Sequence, residues 1–312
     1  MSGLWVTSRP QSVSPLSYLV FSEDSWRVVW SLERERNVQR HDTAIIPPRW
    51  DQALYDKKPK VGYFTSNNLI EAAPGCVRVV RETVETLEAA GYEVVPVQSP
   101  DIKKVLYFYN GIVLADKNEG LYRNLSYDVY DSSLTGLVLA MTTYKMPWLL
   151  KKLVLHPLVG LLSRVSPIEK VFDKTEDLWE GIQQRDTFAR QYLKVLESAG
   201  VDVILCPGQQ LPAPPTGRLG SMLGGILPYI PWNTFNFPAG IVPVSTWGPE
   251  DEREMENYPQ DDILYKMIKS CCEGAQGMPL AVQVVGKPFM DEQVLKMMSI
   301  IEDLVGQGNN TK

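Results

Sequence analysis

The stretch that most constrains the fold is Trp232 to Thr246, WNTFNFPAGIVPVST. Asn236-Phe237-Pro238-Ala239-Gly240 reads as a packed turn feeding a short apolar strand, Ile241 to Val244. Pro238 fixes φ and pushes Phe237 into an extended conformation. Gly240 permits a backbone geometry or a close approach that a Cβ would block. Gly277 to Gly286, GMPLAVQVVG, follows the same logic, with Gly-x-Pro punctuation and then an apolar strand carrying one polar residue, Gln283. Strands of this kind are buried on both faces, as in a largely parallel sheet covered by helices. Periodicity alone is equally satisfied by core strands with tight turns and no functional role.

The rest of the chain alternates helix and strand. Lys60 to Phe64 is a predicted strand, Pro74 to Ala90 a helix, and Tyr92 to Val97 the next strand. Val77, Val80, Val84 and Leu87 mark one face of that helix at three- and four-residue spacing, and Gly91 closes it. The unit recurs: Glu169 to Ala199 is helical, Gly200 ends it, and Val201 to Leu205 is a strand. A last helix follows Pro288, from near Asp291 to about Val305. This alternation indicates an α/β domain. With 312 residues, 44% of them apolar, the chain can bury a sizeable core. No internal repeat or low-complexity tract interrupts it. Residues 1–41 read as an irregular, partly charged lead-in.

A net charge of −6 excludes generic nucleic-acid binding, which needs a basic face. Four cysteines (Cys76, Cys206, Cys271 and Cys272) show no ligand spacing and read as small thiols in a reducing compartment. Only His41 and His156 are present, too few for a His-rich metal site. The N-terminus lacks the basic and then apolar pattern of a signal peptide, and no apolar run is long enough for a transmembrane helix.

Ser132 to Ile168 stands apart, with no acidic residue in an acidic chain. Lys145, Lys151, Lys152 and Arg164 lie among Trp148, Leu149, Leu153 and many other apolar residues, and Pro147 and Pro157 break the stretch into short helices. Trp, Leu and Lys together suit a helix pair lying in the headgroup region of a membrane. The alternative is a helical hairpin packed on the body of the protein or at a homodimer interface.

NFPAGIVPV followed by GMPLAVQVVG resembles the C-terminal part of the amidase-signature hydrolases, and within them the fatty acid amide hydrolases. RWDQALYDKKPKVGYF at 49–64, LEAAGYEVVPV at 87–97, the apolar basic stretch and VDVILCPG at 201–208 extend the likeness from about Asp42 to the C-terminus. It implies a single partial amidase domain: the C-terminal half of that α/β fold, a mixed twisted sheet covered by helices, with residues 132–168 as an apolar membrane cap. It also implies hydrolysis of long-chain fatty acid amides to fatty acid and amine, without metal or organic cofactor. The expected setting is intracellular, peripherally attached to endomembranes.

Amidase-signature enzymes use a Ser-Ser-Lys triad, with backbone N–H groups of a Gly/Ser-rich loop holding the oxyanion. These sit in the family's N-terminal half. This sequence has no GGSSGG-like segment, no G-x-S-x-G elbow and no lysine in a matching context, so the expected catalytic residues on this chain are none. Ser221 is its only serine in a glycine-rich loop, Gly217 to Gly225, and no base is assignable to it. By resemblance, Phe64, Val113, Leu114, Ile226, Ile230 and the cap around Leu137 to Met141 line an acyl channel. Leu264 stands where an aromatic is expected. Lys145, Trp148, Leu149, Lys151, Lys152 and Leu153 meet the membrane surface. The expected partners are a fatty-acyl amide or other lipid, a membrane and a second copy of the chain. A non-catalytic, lipid-binding pseudoenzyme is the alternative, and a nonfunctional fragment is the third reading.

Overall fold

The computed structural model describes residues 51–113, 174–215, 227–261 and 263–310, with 115–116, 119–120, 123 and 172 between them. Among these residues the elements run α1 (Gln52–Asp56), β1 (Val61–Tyr63), α2 (Pro74–Ala89), β2 (Val94–Pro96), α3 (Ile102–Val113) and α4 (Thr175–Ser198). They continue with β3 (Val203–Pro207), α5 (Ile230–Phe235), β4 (Ala239–Thr246), α6 (Pro249–Glu254), a 3-10 turn, α7 (Ile263–Cys272), β5 (Pro279–Gly286) and α8 (Asp291–Asn310).

The sheet is mixed, in the order β2-β1-β3-β5-β4. β1 pairs in parallel with β2 and β3, whereas β5 runs antiparallel to both β3 and β4. The two Pro/Gly-punctuated segments are therefore antiparallel neighbours, not members of a parallel array. Their burial differs as well. β5 is buried from Val282 to Gly286, but β4 alternates and carries Pro243 exposed. Proline lacks the donor a central strand needs, and β4 is the edge strand of the described sheet.

The β-α-β units form for the reasons the pattern suggests. Gly91 and Gly200, with φ of +80° and +67°, take the left-handed turn that ends α2 and α4. The buried face of α2 comprises Cys76, Val79, Val80, Thr83, Val84 and Leu87; Val77 lies at its margin. The Thr83 hydroxyl donates to the Val79 carbonyl at 2.7 Å, which satisfies it inside the core. α4 starts at Thr175, with Lys174 as its extended N-cap at ψ of 150°; the expected start at 169 lies outside the described residues. α2 and α8 pack on one face of the sheet, and α5, backed by α3 and α4, lies on the other. α3 and α4 meet across a slot: the buried Phe172 ring lies where a Cβ on Gly111 or Gly181 would stand, 2.3 Å from either.

Two polar clasps hold this arrangement. The first joins the entrances of β1 and β3. Asp202 N–H donates to the Lys60 carbonyl at 2.9 Å, and the Asp202 carboxylate accepts from Lys60 N at 3.1 Å and Lys57 Nζ at 2.8 Å. Partial burial pushes the Asp202 pKa up, but these donors outweigh it and hold the carboxyl below its ordinary range. The second clasp ties α2 to the turn after β4. Arg78 Nε and Nη2 each donate to Asp251 at 2.8 Å, Nη2 reaches the Thr246 carbonyl at 3.0 Å, and Gly248 N donates to Asp251 at 2.9 Å. Asp251 is only 1% exposed.

Removing one partner of a buried bidentate pair strands a charge, at a cost of about 3 kcal/mol or more. Arg78→Ala is therefore expected to lower stability by about that amount, as read from chemical denaturation. Arg78→Lys is expected to recover only part, because an ammonium cannot reproduce the fork; a neutral outcome for Arg78→Ala contradicts the assignment. The Asp202 clasp predicts a pH dependence. A carboxyl whose pKa is depressed by folding stabilises above its unfolded value near ~3.9 and loses that contribution as pH falls through its folded value. Asp202→Asn is expected to cost about 1 kcal/mol at neutral pH. Its thermal midpoint should converge with that of the parent chain below about pH 4; a gap that persists in acid argues against the clasp.

Candidate functional site

On the face of the sheet covered by α3, α4 and α5, the chain collects aromatic rings. Phe64 leaves β1 directly, its N–H bonded to the Leu205 carbonyl at 3.2 Å, so the strand fixes its position. α5 is short. It begins with Pro231 in its first turn and ends at Asn236, whose left-handed φ of +57° reverses the chain. The Phe237 N–H then bonds back to the Trp232 carbonyl at 3.0 Å. This geometry turns Trp232, Phe235 and Phe237 together into the core. α4 adds Phe188 and Tyr192 at four-residue spacing, one above the other on a helix face.

The rings form a continuous series. Phe64 lies 6.3 Å from Trp232, and Trp232 lies 6.1 Å from Phe237 and 6.2 Å from Tyr192, centroid to centroid. Phe237 meets Phe235 at 5.7 Å, Phe235 meets Phe188 at 5.7 Å, and Phe188 meets Phe108 of α3 at 5.9 Å. The series ends at the rim of an open depression of about 450 Å³ between α3 and α4, where Lys104 Nζ stands 5.5 Å from the Phe188 ring.

The phenols and the thiol beside this series, Tyr192, Tyr229 and Cys206, are protonated and neutral. The Tyr192 hydroxyl donates to the Gln98 carbonyl at 3.0 Å, and burial with the Cys206 thiol nearby raises its pKa. Burial raises Cys206 too, and its sulfur lies 3.7 Å from Gln283 Oε1. Burial pushes Tyr229 up to about 12, with Tyr109 contributing. Cys76 is raised, and Cys272 is pushed up to about 12, so these buried thiols stay unionised at neutral pH. Among the described residues no cluster of three His, Cys, Asp or Glu side chains could hold a metal. The rings pack largely against one another: Trp232, Phe237 and Phe235 are buried.

Of the predicted channel residues, Phe64 and Ile230 come together here: Phe64 borders Trp232, and Ile230 begins the helix that carries Trp232, 2% exposed. Val113 does not join them; it ends α3 at 36% exposure, outside the buried cluster. Leu264 is buried in the general core. Leu114, Ile226, Ser221 and the proposed cap, with Lys145, Trp148, Leu149, Lys151, Lys152 and Leu153, lie outside the described residues. Sequence reasoning missed Phe108, Phe188 and Tyr192 as members of the face. The four-residue spacing of Phe188 and Tyr192 was the available signal.

The profile of the family described as Amidase matches residues 28–295. "Fatty acid amide hydrolase 1" of Caenorhabditis elegans is 28% identical over 265 residues, 84% of this chain and 46% of that protein. "Fatty-acid amide hydrolase 1" of Sus scrofa is 30% identical over 281 residues, 86% of this chain and 47% of that protein. The chain thus spans less than half the length of these curated relatives. A solved structure of "Fatty acid amide hydrolase" shares the fold with a TM-score of 0.62 at 20% identity, over 87% of this chain and 44% of that one. The 6-aminohexanoate cyclic dimer hydrolase structure follows at a TM-score of 0.50 and 14% identity. Both structures match the mixed sheet and its helical layers, and the family profile spans all five strands: the chain belongs to the amidase family.

Proposed function

We propose that this chain carries the acyl-binding part of a fatty acid amide hydrolase-like amidase that cleaves long-chain fatty acid amides. The attacking serine and its base would come from the half of the fold that this sequence does not match. The observation that carries the reading is the ring series from Phe64 through Trp232 to Phe108, a run of aromatic contacts with the Lys104 ammonium at its outer end beside Phe188. The names of the two curated relatives support the choice of an acyl amide as substrate class.

In such an enzyme these residues act through binding. Each methylene removed from water contributes about 0.8 kcal/mol, so a long acyl tail lying on the rings brings several kcal/mol to the complex. That energy holds the amide carbonyl at a fixed depth, where a serine supplied by the other half can reach it.

The test is equilibrium binding of oleoyl amide to the purified 312-residue chain, followed through tryptophan fluorescence. Saturable binding is expected, weakened at least about fivefold in Phe64→Ala, which removes a half-buried ring and its share of apolar contact. The same chain should remain unlabelled by a fluorophosphonate probe. Absence of saturable binding, or probe labelling of a serine on this chain, overturns the proposal.

A further inference from the structure

β1 and β3 are parallel neighbours, so their carboxyl ends lie side by side at one end of the sheet. From there the chain parts. β1 leads into α2 on one face, and β3 leads toward α5 on the other. In open α/β sheets, adjacent parallel strands whose connections leave to opposite faces mark the place where ligands bind. Here that place joins apolar and polar side chains. Phe64, the first of the ring series, is followed at once by Thr65, Ser66 and Asn67, and β3 is followed by Gly208, Gln209 and Gln210.

Asn67 is held in one orientation. It is 8% exposed, and its Oδ1 accepts from Leu69 N at 3.0 Å and Ile70 N at 3.1 Å. Those two bonds decide which end of the amide is oxygen, so Nδ2 points the other way, toward Gln210 Oε1 at 3.5 Å. That contact is long for a hydrogen bond and uses one of two N–H groups. The second has no acceptor among the described residues. Gln210 is itself fixed: its Nε2 donates to the Ile70 carbonyl, and its backbone carbonyl accepts from Ala73 N at 2.8 Å. The loop around them is braced as well. Asn68 takes a left-handed φ of +59° and donates its N–H to Ser66 Oγ at 3.2 Å, and the Tyr258 hydroxyl donates to the Glu71 carbonyl.

A buried donor lacking an acceptor costs free energy, and one already fixed in direction needs no reordering when an acceptor arrives. We propose that Asn67 Nδ2 is the polar contact of the candidate acyl site, donating to the carbonyl oxygen of an acyl amide whose first methylenes lie on Phe64. Three residues of chain separate the two, so their Cα atoms are at most about 11 Å apart. The inference rests on the acyl-binding reading above and adds to it a group that selects for the amide over a bare hydrocarbon.

The test loads the 312-residue chain with diphenylhexatriene, an apolar rod with no hydrogen-bonding atom, and displaces it with oleoyl amide. Asn67→Asp keeps the oxygen that Leu69 and Ile70 require and replaces the donor by an acceptor. It is expected to bind the probe as the parent chain does, yet to need at least about tenfold more oleoyl amide to release it. Phe64→Ala should weaken both ligands. A second measurement uses the parent chain alone. The Asn67 side-chain N–H signals, followed by NMR of isotope-labelled protein, should shift with oleoyl amide and stay in place with the probe.

Equal affinity of Asn67→Asp and the parent chain for oleoyl amide overturns the proposal, as does a loss that strikes the probe equally. If Asn67→Asp shows no cooperative thermal transition, the parent chain decides, and unmoved Asn67 signals overturn it. If probe and amide both bind saturably while Asn67 is indifferent, only the donor assignment falls. If neither binds, the acyl-binding reading falls with it.

Discussion

The antiparallel pairing of β3 with β5 is the contact on which the rest depends. β3 is buried along its whole length, and every one of its five residues stands opposite a residue of β5. On one side of this seam lies the parallel group β2-β1-β3, built from local β-α-β units; on the other lies the β5-β4 pair, built from residues near the C-terminus. The seam brings Cys206 beside Gln283 and sets Trp232, Tyr192 and Phe64 over one face. Without it, the strand that positions Phe64 and the turn that positions Trp232 would share no frame.

The polar clasps serve that seam from its two ends. Asp202 and Lys60 register the entrances of β1 and β3, and the weak Lys287–Asp202 pair at 4.0 Å brings the end of β5 to the same point. Arg78 and Asp251 fix α2 to the turn that leaves β4. Because Asp251 is buried, an arrangement that breaks this pair leaves its carboxylate without the Arg78 fork.

How much of this was legible in the sequence follows from the range of the interactions. The first β-α-β unit could be read because α2 repeats its apolar positions every three or four residues and Gly91 marks its end. The strand order could not, because both β4 and β5 look alike from within, and their antiparallel direction is decided by pairs that lie 33 to 46 residues apart in the chain. α5 went unread ahead of the turn at 236–240, because its six residues, IPWNTF, carry no usable period and its C-cap is an asparagine where glycine is the stronger signal. The Arg78–Asp251 pair, 173 positions apart, left no local trace. The candidate site shows the same division. Phe64 and Ile230 were named by family resemblance; Phe64 lies 6.3 Å from Trp232 and Ile230 begins the helix that carries it, whereas Val113 ends α3 at 36% exposure.

The central claim is that the ring series from Phe64 to Phe108 is an acyl-contact surface. The most direct measurement is photo-crosslinking of the chain with a long-chain acyl amide bearing a diazirine in its tail, followed by peptide mapping. The account predicts adducts on Phe64 and on the peptides that contain Trp232 and Phe188. Adducts spread over α8 and the opposite face of the sheet, with none on those peptides, would contradict it.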